Sequence, residues 1–374
     1  MIYLDYQATT PLAPEVAAAM RPWIETNFAN PHSPYRIGRE AAAAIDVARQ
    51  HVLEALGPGS EAGKLYFTSG ATEAANWALK GVAPDLPEGK TRAVTIATEH
   101  ACVIDTSHWL VVEGLEVEFL PVGPDGIVDM QAAAEAIDDR TGIVAAMLVN
   151  NEIGVIQPIE ELSRLAREQE ALFFCDAVQG LGRVPIPFDA CDMVAVSAHK
   201  VHGPKGIGAL WIRDGIEIEP LLHGGGQEGG LRSGTLSPAL CVGFGEAARL
   251  IVERRAEDAA HVERLWEIAR AATQGWILNG SFERRYKGNL NIRREGIDAA
   301  RLISEVREVA FSAGSACASG SGRTSHVLSS LGLGEREARS SIRLGFGRYT
   351  SEEELRTALR LILEAAARQE SFTA

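Results

Sequence analysis

Long apolar runs are missing from this sequence: none reaches the roughly 18 residues a membrane-spanning helix requires, so no membrane span is expected. The opening stretch Met1-Ile2-Tyr3-Leu4-Asp5-Tyr6 has neither a basic region nor an apolar core, which argues against a secretory signal. Cysteine is sparse and odd in number: Cys102, Cys175, Cys191, Cys241 and Cys317 stand far apart with no C-x-x-C pair. That pattern argues against a disulfide framework or a structural zinc site and fits a reducing cytoplasm. Basic residues are also short, 36 Lys and Arg against 50 Asp and Glu, and the net charge of −14 argues against a broad nucleic-acid face. What remains, 46% hydrophobic and 23% charged, is ordinary for a soluble globular enzyme. At 374 residues the chain exceeds one small core and implies two domains.

Between about residues 60 and 215, short β-rich runs alternate with helical patterns. The runs are Leu65–Thr68, Ala93–Ala97, Leu115–Leu120, Ile143–Val149, Leu172–Cys175, Met193–Ser197 and Gly208–Ile212; Thr72–Lys80, Met130–Ile137 and Ile159–Gln169 read as helices. Such alternation predicts an α/β fold with a mostly parallel seven-stranded sheet covered by helices on both faces. After the glycine-rich run 224–230 the texture changes. Residues 240–272 read as one long helix, followed by weaker strands (288–292, 309–311) and helices (299–306, 352–368). We expect a large domain over 13–255 and a smaller α+β domain from 1–12 and 256–374.

Two charged residues follow buried-type strands, where ligands of such sheets bind. Lys200 comes shortly after Met193-Val194-Ala195-Val196, and Asp176 ends Leu172-Phe173-Phe174-Cys175. Alone, Lys200 reads as a loop lysine or as an amine kept partly neutral for a Schiff base. Asp176 reads as a helix cap or as the partner of a protonated pyridine nitrogen. The turn Ser69-Gly70-Ala71-Thr72 before a helix offers free N–H groups to an anion, and Ser197 and His199 offer further donors. His100, in Thr98-Glu99-His100, is a structural histidine or a ring-stacking acid/base. The strand-end Asp and Lys with this anion turn point to pyridoxal phosphate.

Asp176-x-x-Gln179, Ser197-Ala198-His199-Lys200, Gly70-Ala71-Thr72-Glu73 and Arg232-Ser233-Gly234-Thr235 resemble a class V aminotransferase-type enzyme of pyridoxal-phosphate fold type I, and more narrowly a cysteine desulfurase. The resemblance runs from Tyr3 to Thr350. It implies pyridoxal 5'-phosphate held on Lys200, with Asp176 at the ring nitrogen and His100 over the ring. Gln179 and Asn151 (in Asn150-Asn151-Glu152-Ile153-Gly154) are implied at the ring hydroxyl, and Ala71, Thr72, Ser197 and His199 at the phosphate. Thr235 is implied to reach the phosphate of a neighbouring subunit, making a homodimer part of the resemblance.

Cys317 sits among small residues in Gly314-Ser315-Ala316-Cys317-Ala318-Ser319-Gly320, either as a small buried cysteine or, as we expect, on a mobile loop. In the desulfurases the matching cysteine takes sulfur from the cofactor-bound substrate, releasing alanine and leaving an enzyme persulfide. The spacing from Cys317 to Ser340-Ser341-Ile342-Arg343 matches the longer-loop subgroup, which acts on L-cysteine and hands sulfur to partners. The implied acceptor is an iron–sulfur scaffold or a thiolation protein, and Cys317 is an implied ligand for a transferred cluster. No resident metal is expected. Arg343 reads as a surface arginine or, with Asn30 assisting, as a bidentate clamp on the substrate carboxylate. Selenocysteine lyase, class V aminotransferase and a non-enzymatic sulfur-binding protein are the alternatives.

The chain departs from the family pattern in places. Asn30-Pro31-His32-Ser33-Pro34-Tyr35 lacks the usual histidine at its end, Ala101 and Gly229 replace a common lysine and arginine, and no long tail follows Glu370.

Overall fold

The computed structural model describes residues 1–313 and 325–373. Its main sheet has seven strands in the order Gly63–Thr68, Gly208–Arg213, Met193–Ser197, Leu172–Asp176, Thr141–Met147, Arg92–Ile96 and Glu116–Leu120. From Met193–Ser197 to Glu116–Leu120 neighbours pair in parallel, while Gly208–Arg213 is antiparallel to both its neighbours. Parallel strands buried on both faces need continuous apolar sequence, and Thr141–Met147 is buried at every position.

Alternation along each strand sends side chains to two cores. Val144, Phe173, Val194 and Trp211 pack under the helices Arg36–Leu56, Ile159–Glu168 and Pro238–Ala272. Ile143, Phe174, Ala195 and Leu210 pack under Ala71–Val82 and Ala101–Val112. The Arg36–Leu56 helix buries Ala41, Ile45, Ala48 and Val52, the helical spacing of one face. It lies so close to the long helix that a Cβ on Gly245 would come 2.5 Å from Ala48 Cα.

The long helix begins two residues before its predicted start, because Pro238 suits a first helical position and Ser237 Oγ accepts from Leu240 N at 3.4 Å. Its 35 residues span about 50 Å. Phe244, Ala248 and Ile251 join the main core, and Leu265, Trp266 and Ala269 join another. That second core fills one face of the antiparallel sheet Ser341–Gly345, Asn289–Arg293, Ile277–Leu278, beneath the helices Ala299–Glu305 and Glu352–Thr373. Leu4 belongs to it, and Ile2–Tyr3 pairs in parallel with Val309–Ala310. The chain then crosses to the main sheet, where Thr10 N donates to His199 O at 2.9 Å.

Thr68, Ile96, Met147, Asp176 and Ser197 all end at one edge of the main sheet. Gly208 faces both Ser197 and Thr68 there. A Cβ on it would meet Val196 O at 2.6 Å and Gly70 Cα at 2.8 Å, so glycine lets the Gly70 turn close over the sheet edge. No described helix is long and apolar enough to cross a membrane.

Candidate active site

A cavity of about 880 Å³ opens along that edge. Ala71, Thr72, His100, Asn151, Asp176, Gln179, Ser197, His199, Lys200 and Arg343 all line it. Asn30 and Thr235 are exposed and lie off it, and Cys317 lies outside the described residues.

Lys200 ends a 3₁₀ turn, Ala198–Lys200, after the strand instead of ending the strand itself. Its Nζ donates to Gln7 O at 2.6 Å and Ala8 O at 2.8 Å. Burial, reinforced by the charges of Arg183 and Arg343, pulls the amine down to about 8. Asp176 is buried, with Oδ1 accepting from Val178 N at 2.9 Å. Burial raises its pKa, against the pull of that N–H and of His100 and Lys200. His100 caps the helix Ala101–Val112, its Nδ1 accepting from Cys102 N at 3.2 Å. That bond assigns the ring proton to Nε2. Burial, with Lys200 and His326, lowers the His100 pKa, so the ring is neutral at pH 7.

The anion end is built from the start of the Ala71–Val82 helix, where Ser69 N donates to Glu73 Oε2 at 2.7 Å. Glu73 also takes Arg232 Nε at 2.7 Å and Nη2 at 3.0 Å. Burial alone would raise the Glu73 carboxyl, but Arg232 and Ser69 hold it below the usual range. The two motif arms, Gly70–Glu73 and Arg232–Thr235, are thus tied together by one ion pair. His199 Nδ1 lies 3.1 Å from Thr9 Oγ1, and burial with neighbouring Lys200 takes its pKa to about 4. A neutral imidazole, a buried serine and free helix N–H groups could hold a phosphate. An amine, a carboxylate and an imidazole beyond it fit a phosphorylated pyridine aldehyde.

Arg343 is buried and already paired: Nη2 donates to Asp5 Oδ1 at 2.7 Å and Ser312 Oγ at 3.2 Å, and Nη1 to Asn151 O at 3.1 Å. Only its Nε is without a partner among the described residues. Gln179 is engaged as well, its Nε2 donating to Gln7 O at 3.0 Å and its Oε1 accepting from Arg183.

Several groups on the cavity wall or just behind it carried no sequence signal. Glu99 is fully buried; Oε1 accepts from Met147 N at 2.6 Å and Oε2 has no partner among the described residues. Burial, then Asp176, pushes its carboxyl well above the usual range. Glu152 accepts from Ser325 Oγ at 2.5 Å, and His326 Nε2 donates to Glu99 O at 2.9 Å. Cys102 is the one cysteine on the cavity wall among the described residues, and burial pushes its thiol up, out of reach of ionisation at pH 7.

Because the Glu99 pKa is higher folded than unfolded, its stabilising contribution is full below the ordinary carboxylate pKa of about 4.3 and fades as pH rises. Glu99→Gln removes that loss. The variant is therefore expected to gain on wild type between pH 5 and pH 8 in denaturant titrations. A constant difference across that window would contradict a protonated Glu99.

The aminotransferase class-V family model matches residues 2–357. The cysteine desulfurase IscS of Rickettsia bellii is 45% identical over 370 residues, 96% of this chain and 90% of that protein. A NifS-like protein superposes with a TM-score of 0.90 at 34% identity, covering 98% of this chain and 99% of that one. A structure described as SspA in complex with cysteine gives 0.83 at 36% identity, over 94% of this chain and 100% of its own. With a lysine, an aspartate and a helix N-terminus converging at the sheet edge, the chain belongs to the aminotransferase class-V family, within its cysteine desulfurase branch.

Proposed function

We propose that this cavity removes sulfur from L-cysteine, releasing L-alanine and leaving a persulfide on Cys317. The observation that carries the reading is the convergence of Lys200, Asp176 and His100 beside a helix N-terminus in one cavity. Pyridoxal 5'-phosphate, when bound, supplies an aldehyde for amine condensation and a ring that stores an electron pair. Lys200 would hold the aldehyde carbon and Asp176 the ring nitrogen, with His100 over the ring and Asn151 and Gln179 at the ring hydroxyl. Ala71, Thr72, Ser197 and His199 would hold the phosphate. Thr235 is exposed and off its own cavity, which supports its reaching a partner subunit's site in a homodimer.

Lys200 then works as the proton carrier. With a pKa of about 8, about a tenth of the amine is neutral at pH 7, against fewer than about one in a thousand for an exposed lysine. His100, neutral with its proton on Nε2, accepts or returns protons from the other side. The Cys317 thiolate attacks the substrate sulfur: an S–S bond forms as the substrate C–S bond breaks, the bonding pair stays with the departing carbon, and a proton delivered there completes alanine. In sequence, Cys317 falls between Ser312, which contacts Arg343, and Ser325, which lines the cavity. The sulfur then passes to an acceptor, an iron–sulfur scaffold or a thiolation protein. The cores on the main sheet, separate from the core on the small antiparallel sheet, support a large domain over 13–255 and a small one over 1–12 and 256–374. Free buried thiols at Cys102, Cys175, Cys191 and Cys241 support a cytoplasmic setting.

The test is product analysis with L-cysteine as sole substrate. Alanine and reductant-releasable sulfide in equal amounts are expected. A keto acid would point to an aminotransferase, and turnover confined to L-selenocysteine to a lyase for that amino acid.

Arg343 is proposed to bind the substrate carboxylate. Arg343→Lys keeps the charge facing Asp5 but loses the planar fork. The KM for L-cysteine is expected to rise about 10- to 100-fold with little change in kcat. A KM unchanged within about twofold would place the carboxylate elsewhere.

A further inference from the structure

A second cavity, about 320 Å³, lies where residues 182–186, the middle of the long helix and residues 285–287 meet. Two acids on its wall are already neutralised: Asp258 pairs with Arg348 at 2.6 Å and Glu263 with Lys287 at 2.5 Å. Three arginines on the same wall meet only neutral oxygens. Arg183 donates to Lys200 O at 2.7 Å and to Gln179 Oε1, and its guanidinium lies 5.1 Å from the Tyr286 ring centroid. Arg285 donates to the carbonyls of Ser281 at 2.8 Å, Asn289 at 3.1 Å and Asn279. Arg255, exposed at the mouth, donates to Ala55 O at 3.2 Å.

None of the three has a carboxylate partner among the described residues, in a chain whose net charge is −14. Buried cations without counter-charge are costly. Consistent with this, burial pulls the Arg183 and Arg285 pKa values down, and only Tyr286 opposes it at Arg183. Guanidinium forks match phosphate oxygens, whereas Tyr286, Val184 and Val262 offer an apolar wall for an organic substituent.

We propose that this cavity binds a phosphate monoester between Arg183, Arg255 and Arg285, and that the bound charge is felt at Lys200 through Arg183. Arg183 lines this cavity and also touches the Lys200 carbonyl and the Gln179 side chain, two residues that line the first cavity. The charges acting on the Lys200 amine are Arg183 and Arg343, which oppose its proton, and Asp5 and Asp176, which favour it. An anion that offsets Arg183 lets the Lys200 nitrogen, free or joined to the cofactor, keep its proton to higher pH.

Phenyl phosphate is the probe, used on the holoenzyme so that the cofactor fills the other phosphate site. Equilibrium dialysis at constant ionic strength is expected to show one saturable site per chain. Binding should be about tenfold weaker in Arg255→Ala, whose exposed side chain can be removed without disturbing either core. The pH midpoint of the visible cofactor band should rise with phenyl phosphate in wild type and rise less in the variant. Absent saturable binding, or binding that Arg255→Ala retains in full, would overturn the site. Saturable binding with an unmoved midpoint would overturn the coupling to Lys200. Dialysis reads occupancy whatever reaction the first cavity performs, so failure here is separate from failure of the desulfurase reading.

Discussion

Replacing Cys317 with alanine is expected to lower alanine formation from L-cysteine at least about a thousandfold while leaving the visible cofactor band in place. The expectation follows from the division of labour within the cavity. Lys200, Asp176 and His100 can bind and activate an amino acid, but none of them can receive a sulfur atom. A thiolate is needed for that, and the remaining cysteines do not substitute for one. Cys102 lines the cavity, yet burial with Asp176 and Glu99 nearby drives its thiol pKa up. Cys175 is buried and pushed up in the same direction, and Cys241 is pushed up to about 12. Amino-acid analysis of the products decides the matter. A Cys317→Ala enzyme that keeps more than about a tenth of its alanine output would remove this residue from the reaction.

The second large effect concerns Lys200. Lys200→Ala is expected to abolish covalent retention of the cofactor and to cut turnover by about a thousandfold or more. Among the described residues the side chain is held by the Gln7 and Ala8 carbonyls and by no acidic partner, so its removal leaves two acceptors that water can satisfy. The fold should therefore survive. Borohydride reduction of the holoenzyme followed by peptide mapping checks the point directly. The label is expected on the peptide containing Lys200 in wild type and nowhere in the variant; a label on another lysine would contradict the assignment.

Much of this arrangement is visible in the chain before any coordinates. The inner strands of the main sheet announce themselves, because parallel strands covered on both faces must be apolar at successive positions, as Thr141–Met147 is, whereas the edge strand Glu116–Leu120 shows instead by alternation. Lys200 and Asp176 stand out for the complementary reason, being charges set against such runs. Pairings far apart in sequence leave no local mark. The Lys200 amine meets Gln7 across 193 positions, Arg343 meets Asp5 across 338, and Glu73 meets Arg232 across 159. Glu99 is a case of another kind. Its letter reads as a polar strand end, and only the packing of Met147 and Asp176 around it makes it a buried acid whose carboxyl is pushed well above the usual range. The Arg36–Leu56 helix hides among small residues: Ala41, Ile45, Ala48 and Val52 keep the spacing of one helical face, and its alanines set how closely the long helix approaches. The strand Ser341–Gly345 is likewise hidden behind the arginine it carries, although every one of its positions is buried.

The central claim is that sulfur from L-cysteine comes to rest on Cys317. The most direct measurement is the mass of the Cys317 peptide after one turnover of holoenzyme with L-cysteine in the absence of reductant. The account predicts a peptide one sulfur atom heavier, formed in step with alanine and restored by dithiothreitol. Alanine appearing in equal amount to enzyme while the Cys317 peptide stays unmodified, or while the extra sulfur maps to another cysteine, would contradict it.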